Sequence, residues 1–302
     1  MSSSAFEQPG RFYRGNIHTH STRSDGRLSP EAVCKFYREM GYDFLALTDH
    51  FMEQFRYPIT DTSAYRTDHF TTIYGAELHA GKTITGELWH ILAVGLPLDF
   101  APNLPDEDGP GIAARALAAG AFVAAAHPAW YNLSEEDVLS LGAIHAIETI
   151  NGISADHNDR IDSWYMLDVL LARGYRYSAC ATDDTHFQAE RNDRIRGWVW
   201  VKSEELSPEA ILEALKRGDY YSSTGPQIHD LQVIPGEKVK IRCSPVDSIF
   251  VSGRGAWSVF KHGRGMIEAE LDIRKLNNPY CRVTIRDAQG NRAWSNPIWL
   301  TV

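Results

Sequence analysis

The stretch GNIHTHSTRSDGRLSPEAVCKFYREMGYDFLALTDH, residues 15–50, decides how the fold is read. It opens on a short β-like run, Gly15–His20, and closes on another, Asp43–His50, whose centre Phe44–Leu47 is apolar without alternation. Runs of that kind suit strands covered on both faces. Between them lies a helix with clear start and stop signals: Ser29 as N-cap, Pro30 in the first turn and Gly41 just past the end. A strand, a helix and a second strand predict parallel strands joined by a right-handed crossover.

The same alternation continues on the C-terminal side. Further β-like runs are Thr71–His79, Trp89–Leu96, Ala121–His127, Ala143–Asn151 and Tyr175–Thr182. Helices are expected over about Gly111–Ala119, Ser134–Ser140 and Asp159–Arg173, closed by Gly120, Gly142 and Gly174, and another starts at Ser207-Pro208-Glu209. The class is α/β. Seven such strands predict a barrel related to the (β/α) barrels, with a doubly wound open sheet as the alternative. After Tyr220–Pro226 the texture changes to short β-like runs separated by Gly, Asn, Asp and Pro, among them Lys238–Cys243, Ser248–Val251, Ala256–Phe260, Ile267–Ile273, Tyr280–Ile285 and Ile298–Val302. This predicts a small C-terminal antiparallel β-sandwich-like domain over 227–302, appended to a barrel over 11–226.

The chain has 302 residues, 43% hydrophobic and 23% charged, which excludes wholesale disorder. Its longest apolar stretch, Ala121–Ala126, is far short of the ~20 residues a membrane helix needs. The opening MSSSAFEQPG lacks a basic start followed by an apolar core, so no secretory signal is expected. Cys34, Cys180, Cys243 and Cys281 are scattered without a CxxC pair, which fits reduced thiols in the cytoplasm, and Cys180 reads as core. With 30 Lys and Arg against 39 Asp and Glu, the net charge is −9. No basic stripe for nucleic acid is visible, and neither a nucleic-acid nor a membrane partner is expected.

Function in parallel α/β architectures collects at the carboxyl ends of strands. Those ends here carry Asn16-Ile17-His18-Thr19-His20, Thr48-Asp49-His50, Gly75-Ala76-Glu77-Leu78-His79, Ala126-His127-Pro128 and Asp183-Asp184-Thr185-His186. Residues two apart in a strand face the same side, so His18 with His20, Glu77 with His79, and Asp184 with His186 could each deliver two ligands inward. Imidazole mixed with carboxylate suits Zn²⁺, Mn²⁺ or Fe²⁺. So many donors exceed the needs of one tetrahedral ion, and a cluster of two or three divalent ions sharing a carboxylate is the economical reading. His69, His145, His157, His229 and His262 read as ordinary surface or core histidines.

The ordered motifs His18-Thr19-His20-Ser21, Ser24-Asp25-Gly26, Leu47-Thr48-Asp49-His50, Gly75-Ala76-Glu77, Trp89-His90-Ile91-Leu92, Ala126-His127-Pro128 and Asp184-Thr185-His186 resemble the polymerase and histidinol phosphatase (PHP) family, over roughly residues 11–200. Tyr221–Pro226 and the β-rich tail look like the branch that includes carbaryl hydrolase. The resemblance implies a distorted seven-stranded barrel with up to three divalent ions. One would be held by His18, His20, Glu77 and Asp184. A second would use Glu77 as a bridge with His90 and His127, and a third Asp25, His50 and His186. Spacing alone favours His79, which shares a face with Glu77, whereas the family's His-Ile-Leu setting points to His90. His79 is then expected to support ligands or bind substrate. Glu148, Asp49 and Asp183 could orient ligand imidazoles.

Bound ions lower the pKa of water enough to supply hydroxide near neutral pH and clamp the substrate. The expected activity is therefore a metal-dependent phosphoesterase acting on a small phosphorylated molecule through metal-activated hydroxide, with Asp184, His186 and Glu77 as catalytic residues. Arg160, Arg191, Arg194 and Arg196 are placed to contact phosphate. The runner-up is hydrolysis of a carbamate, ester or amide. A nuclease and a non-catalytic metal-bearing module come further behind.

Overall fold

A computed structural model describes residues 4–300. Its strands in chain order are β1 (Arg11–Asn16), β2 (Phe44–Leu47), β3 (His50–Phe51), β4 (Thr71–Leu78), β5 (Ile91–Val94), β6 (Phe122–Ala125), β7 (Ala146–Asn151), β8 (Ser178–Thr182), β9 (Trp198–Ser203) and β10 (Tyr220–Ser223), followed by β11 (Ile228–Ile234), β12 (Lys238–Ser252), β13 (Ser258–Asp272), β14 (Tyr280–Arg286), β15 (Arg292–Ser295) and β16 (Ile298–Trp299). The helices are α1 (Pro30–Glu39), α2 (Gly109–Ala118), α3 (Pro128–Tyr131), α4 (Glu135–Ser140), α5 (Ser154–His157), α6 (Trp164–Ala172) and α7 (Pro208–Arg217).

Local signals place most helix ends. Ser29 Oγ accepts from Ala32 N–H at 3.2 Å and starts α1, and Ser207 Oγ accepts from Ala210 N–H at 3.2 Å and starts α7. Gly218, at φ +78°, closes α7 in the left-handed conformation. α6 begins at Trp164 rather than Asp159. Asp159 is itself left-handed, and Asp162 is held in a bridge to Ile150, so the chain cannot coil until both are passed.

β1, β2 and β4 pair in parallel, as do β6, β7 and β8. β5 departs from the all-parallel expectation and runs antiparallel to both β4 and β6. The connection 79–90 contains no helix to carry the chain across the sheet, so β5 folds straight back beside β4. β9 is antiparallel to β1. The resulting order is β9-β1-β2-β4-β5-β6-β7-β8. Just beyond β1 and β8 the two sides of this path meet. Thr19 bridges Thr185, His20 N–H donates to Thr185 O at 2.9 Å, and Asp184 N–H donates to His18 O at 2.9 Å.

Inside the curved sheet Ile17, Phe44, Ile73, Val94 and Phe122 form a buried core, capped by Ile211, Ala214 and Leu215 of α7. Gly15 is required there: a Cβ would lie 2.1 Å from the Phe44 ring. α1 covers the outside through Val33, Cys34 and Tyr37 against Leu45 and Leu47. All four thiols are buried and unpaired, and Cys180 lies in the inner core.

From β11 onward every pairing is antiparallel. β12 and β13 each merge runs that the sequence divides, because register shifts around Val246 break the alternation without ending the pairing. β10 pairs with β9 on one side and with β15 on the other. Hydrogen bonding therefore passes unbroken from β9 into the tail.

Candidate metal centre

Each strand end contributes through its own geometry. The Thr19–Thr185 bridge sets His18 and His20 beside Asp184 and His186. His20 Nε2 lies 2.9 Å and His18 Nε2 3.3 Å from Asp184 Oδ1. Glu77, near the end of β4, is 1% exposed and sits among the imidazoles. Its Oε1 lies 2.7 Å from His90 Nδ1 and 3.1 Å from His127 Nε2, and its Oε2 lies 2.6 Å from His50 Nδ1. The reversal of β5 explains His90. In an antiparallel strand the starting end lies beside the finishing end of β4, with Leu78 opposite Ile91. The conflict between spacing and motif context arose from assuming a parallel strand. His79 also reaches the cluster, 3.6 Å from Glu77 Oε2.

Four groups of donor atoms are close enough to hold an ion: His18, His20 and Glu77; His18, His127 and Asp184; His50, Glu77, His79 and His90; and His20, Asp25, His50 and His186. The nine expected ligands thus lie together. The grouping differs from expectation: His79 and His50 join Glu77 and His90, His20 joins the set of Asp25, His50 and His186, and His127 groups with His18 and Asp184 instead of with Glu77 and His90.

The donors fit a cation. Among the described residues the buried His20 Nδ1 and His127 Nδ1 have no hydrogen-bond partner, and the buried His18 Nε2 and Glu77 Oε2 lie against other candidate ligands. His79 Nδ1 lies 2.9 Å from Trp89 O, which takes its proton and leaves Nε2 as a lone-pair donor facing His50. Burial, with His186 and His50 nearby, holds His20 down at about 3, and burial holds His90 at about 3 although Glu77 opposes it. Burial also works against charge on His50, but Glu77 and Asp25 outweigh it and push His50 up to about 10. Glu77 stays well below the carboxylate range despite burial because His90, His50 and His18 surround it. Protons held on imidazoles among ionised carboxylates are what a divalent ion displaces.

The supporting carboxylates divide. Glu148 does orient an imidazole: its Oε1 lies 2.8 Å from His18 Nδ1, and its Oε2 accepts from His127 N–H at 2.7 Å. Asn151, which the sequence reading passed over, donates to Glu148 Oε2 and to Asp184 Oδ2, both at 3.0 Å. Asp49 and Asp183 hydrogen-bond loops, not imidazoles. Asp49 accepts from Ser21 N–H at 2.7 Å and Ser24 Oγ at 2.7 Å, fixing the loop that presents Asp25. Asp183 accepts from Ile195, Arg196 and Gly197 N–H and from Tyr37 Oη. That grip holds Ile195, a β-branched residue, at φ +57°.

The cluster opens into a cavity of about 220 Å³ walled by Trp130, Tyr131, Ile153, His157 and Arg191. Of the four arginines singled out, only Arg191 lines it. Arg160 turns away to Trp130 O and Asn132 Oδ1, Arg194 donates to Arg191 O, and Arg196 lines a separate cavity against Thr224 and Arg292. The backbone explains this: after Asp184 the chain is pinned by Asp183, which carries Arg194 and Arg196 past the opening. The aromatic wall was not foreseen. Tyr131 stacks on His90 with ring centres 4.4 Å apart, and Trp130 stacks on His157 at 4.6 Å. The aromatic pair Trp130-Tyr131, one residue beyond His127-Pro128, was the available signal.

Comparison with solved structures places this architecture beside PHP-like proteins. A two-domain protein from Bacteroides vulgatus, described as containing a predicted PHP-like metal-dependent phosphoesterase, aligns over 97% of this chain and 98% of its own, with TM-score 0.53 and 15% identity. A putative metal-dependent phosphoesterase from Bifidobacterium adolescentis aligns over 67% of this chain and 96% of its own (TM-score 0.46, 14% identity). An amidohydrolase from Chromobacterium violaceum aligns over 57% and 87% (TM-score 0.44, 16% identity). No protein-family model matches the sequence, and no curated protein matches it. The first alignment establishes a shared mixed α/β fold that continues into the tail. It does not extend to the narrower carbaryl-hydrolase branch.

Proposed function

We propose that the protein is a metal-dependent hydrolase that cleaves a phosphoester bond in a small molecule. The observation that carries this reading is the convergence of His18, His20, Asp25, His50, His90, His127, Asp184 and His186 around the buried carboxylate of Glu77, in donor groups sufficient for more than one ion. In this reading residues 11–226 are a distorted seven-stranded PHP barrel, joined at its rim by the Thr19–Thr185 bridge, and 227–302 a β-rich domain. The description of the B. vulgatus neighbour points the same way.

Glu77 would be shared between ions, with His18, His20 and Asp184 on one side and His90 and His127 on the other, while Asp25, His50 and His186 hold a third. Divalent ions (Mn²⁺, Fe²⁺ or Zn²⁺) would supply Lewis-acid polarisation and a nucleophile at neutral pH. The chain's own groups supply the rest. Glu148 and Asn151 keep His18 and Asp184 aimed inward, and Trp130 and Tyr131 exclude water from one wall. Arg191 offers its guanidinium to a phosphoryl oxygen, and Asp184, His186 and Glu77 carry catalysis through their place in the cluster. A phosphoester matches several cations and a nearby arginine because its charge spreads over several oxygens; a carbamate presents one carbonyl oxygen. The small cavity suits a small-molecule substrate, and unpaired buried thiols suit the cytoplasm.

The test is to prepare the protein with each metal, count bound ions, and assay phosphate monoesters, phosphodiesters and aryl carbamates side by side. Phosphoester cleavage with competitive inhibition by inorganic phosphate is expected, and Asp184→Asn or His20→Ala should lower turnover at least ~100-fold with the fold intact. Cleavage of aryl carbamates or esters with no phosphoester activity would overturn the proposal.

A further inference from the structure

A second cavity, about 280 Å³, opens at the opposite ends of β7 and β8 from the cluster, where those strands begin. It is walled by the residues leading into β7 and β8, the end of α7, the segment Ser4–Phe6 and the last strands of the tail. Its described lining includes Arg176, Lys216, Arg217 and His145 and not one Asp or Glu, in a chain of net charge −9. Excess positive charge in such a place marks a site for something negative.

The hydrogen bonding of the floor narrows the ligand further. Ser178 Oγ donates to His145 O at 2.9 Å, and Tyr220 Oη donates to Ser178 Oγ at 2.7 Å, so both hydroxyl protons are engaged. His145 Nδ1 accepts from Val123 N–H at 3.1 Å. The neutral ring therefore carries its proton on Nε2, and that N–H has no partner among the described residues. Arg176 lies over the Trp299 ring, 4.7 Å from its centre, and makes no ion pair among the described residues. Lys216 Nζ bonds Gly120 O and Glu213 Oε1, leaving a third proton to give. Arg217 uses only Nε on Asp219. What remains open is a set of donors from separate segments, with few acceptors to answer them. A ligand made of acceptors alone satisfies that set, and a guanidinium with an imidazole N–H and an ammonium suits the oxygens of a tetrahedral oxyanion.

We propose that this cavity is a binding site for a phosphate group, separate from the metal centre, with Arg176, Lys216 and the His145 Nε2–H as its donors. The site does not depend on the hydrolase reading. A ligand held there would brace the starts of β7 and β8, the first of which carries Glu148 and the second of which leads into Asp184.

The experiment is calorimetric titration of inorganic phosphate into the chelator-treated, metal-free full chain, so that no metal ion competes for it. One phosphate per wild-type chain is expected. Arg176→Gln and Lys216→Gln should each weaken binding at least tenfold, with circular dichroism confirming the fold, and His127→Ala should leave it unchanged. Two results would overturn the proposal: no binding to the wild-type chain, or binding that both cationic variants retain. Binding abolished by His127→Ala alone would do so too, since phosphate would then sit in the histidine cluster.

Discussion

Glu77 is approached from both carboxylate oxygens, Oε1 by His90 and His127 and Oε2 by His50. Glu77→Gln keeps the shape and removes the charge that would offset two neighbouring cations. It should therefore lose more metal than any single histidine substitution, as elemental analysis of the purified protein would show. A fully loaded variant would disprove the bridging role. His90→Ala should lower occupancy directly, whereas His79→Ala should act mainly on kinetics; the reverse pattern would exchange their roles. Protons matter as well. In the metal-free protein His50 has a pKa raised from the usual 6.5 to about 10, so its stabilising contribution is full below pH 6.5 and lost as pH rises through 10. An ion must expel that proton, so metal affinity should rise with pH between about 6 and 8, with release of about one proton per ion bound beside His50. Calorimetry in buffers of different ionisation enthalpy measures this. Affinity independent of pH would remove His50 from the ligand set. Most of these residues were legible because a two-residue period at a strand end gives a fixed direction. His90 was legible only through its His-Ile-Leu setting, since its direction depends on which way β5 runs, and Trp130 and Tyr131 were not legible, since a wall of a cavity has no period.

At the scale of elements, α7 shows how far a local signal reaches. The Ser207-Pro208 start foretells the helix, but nothing local foretells that Ile211, Ala214 and Leu215 fill the inside of the curved sheet. Leu215 is fully buried there. Leu215→Ala should cost about 2–5 kcal/mol, read from denaturant unfolding, because the surrounding strands cannot collapse into the space. A loss below about 1 kcal/mol would mean that the helix is a loose cap. Paired strands pose the same problem. Val239, Ile241 and Cys243 alternate visibly, yet the register shift around Val246 hides that β12 continues to Ser252.

At the scale of the molecule, the tail's attachment is the informative feature. β10 gives one edge to β9 and the other to β15, and its Tyr221 packs against Phe6 and Phe12 within the core that the tail closes. Truncation after Pro226 should bare that edge and that ring, lowering solubility while leaving every candidate ligand in place. Loss of bound metal from a soluble truncated protein would instead give the tail a part in the site. The sequence suggests a boundary near Pro226 because turn residues cluster there, and the sheet hydrogen bonding runs past it from β9 through β10 into β15. A strand owned by two halves also leaves no seam between them. Heat should then melt both halves together, in a single transition with matching calorimetric and van't Hoff enthalpies. Any disturbance that loosens one half is shared by the other.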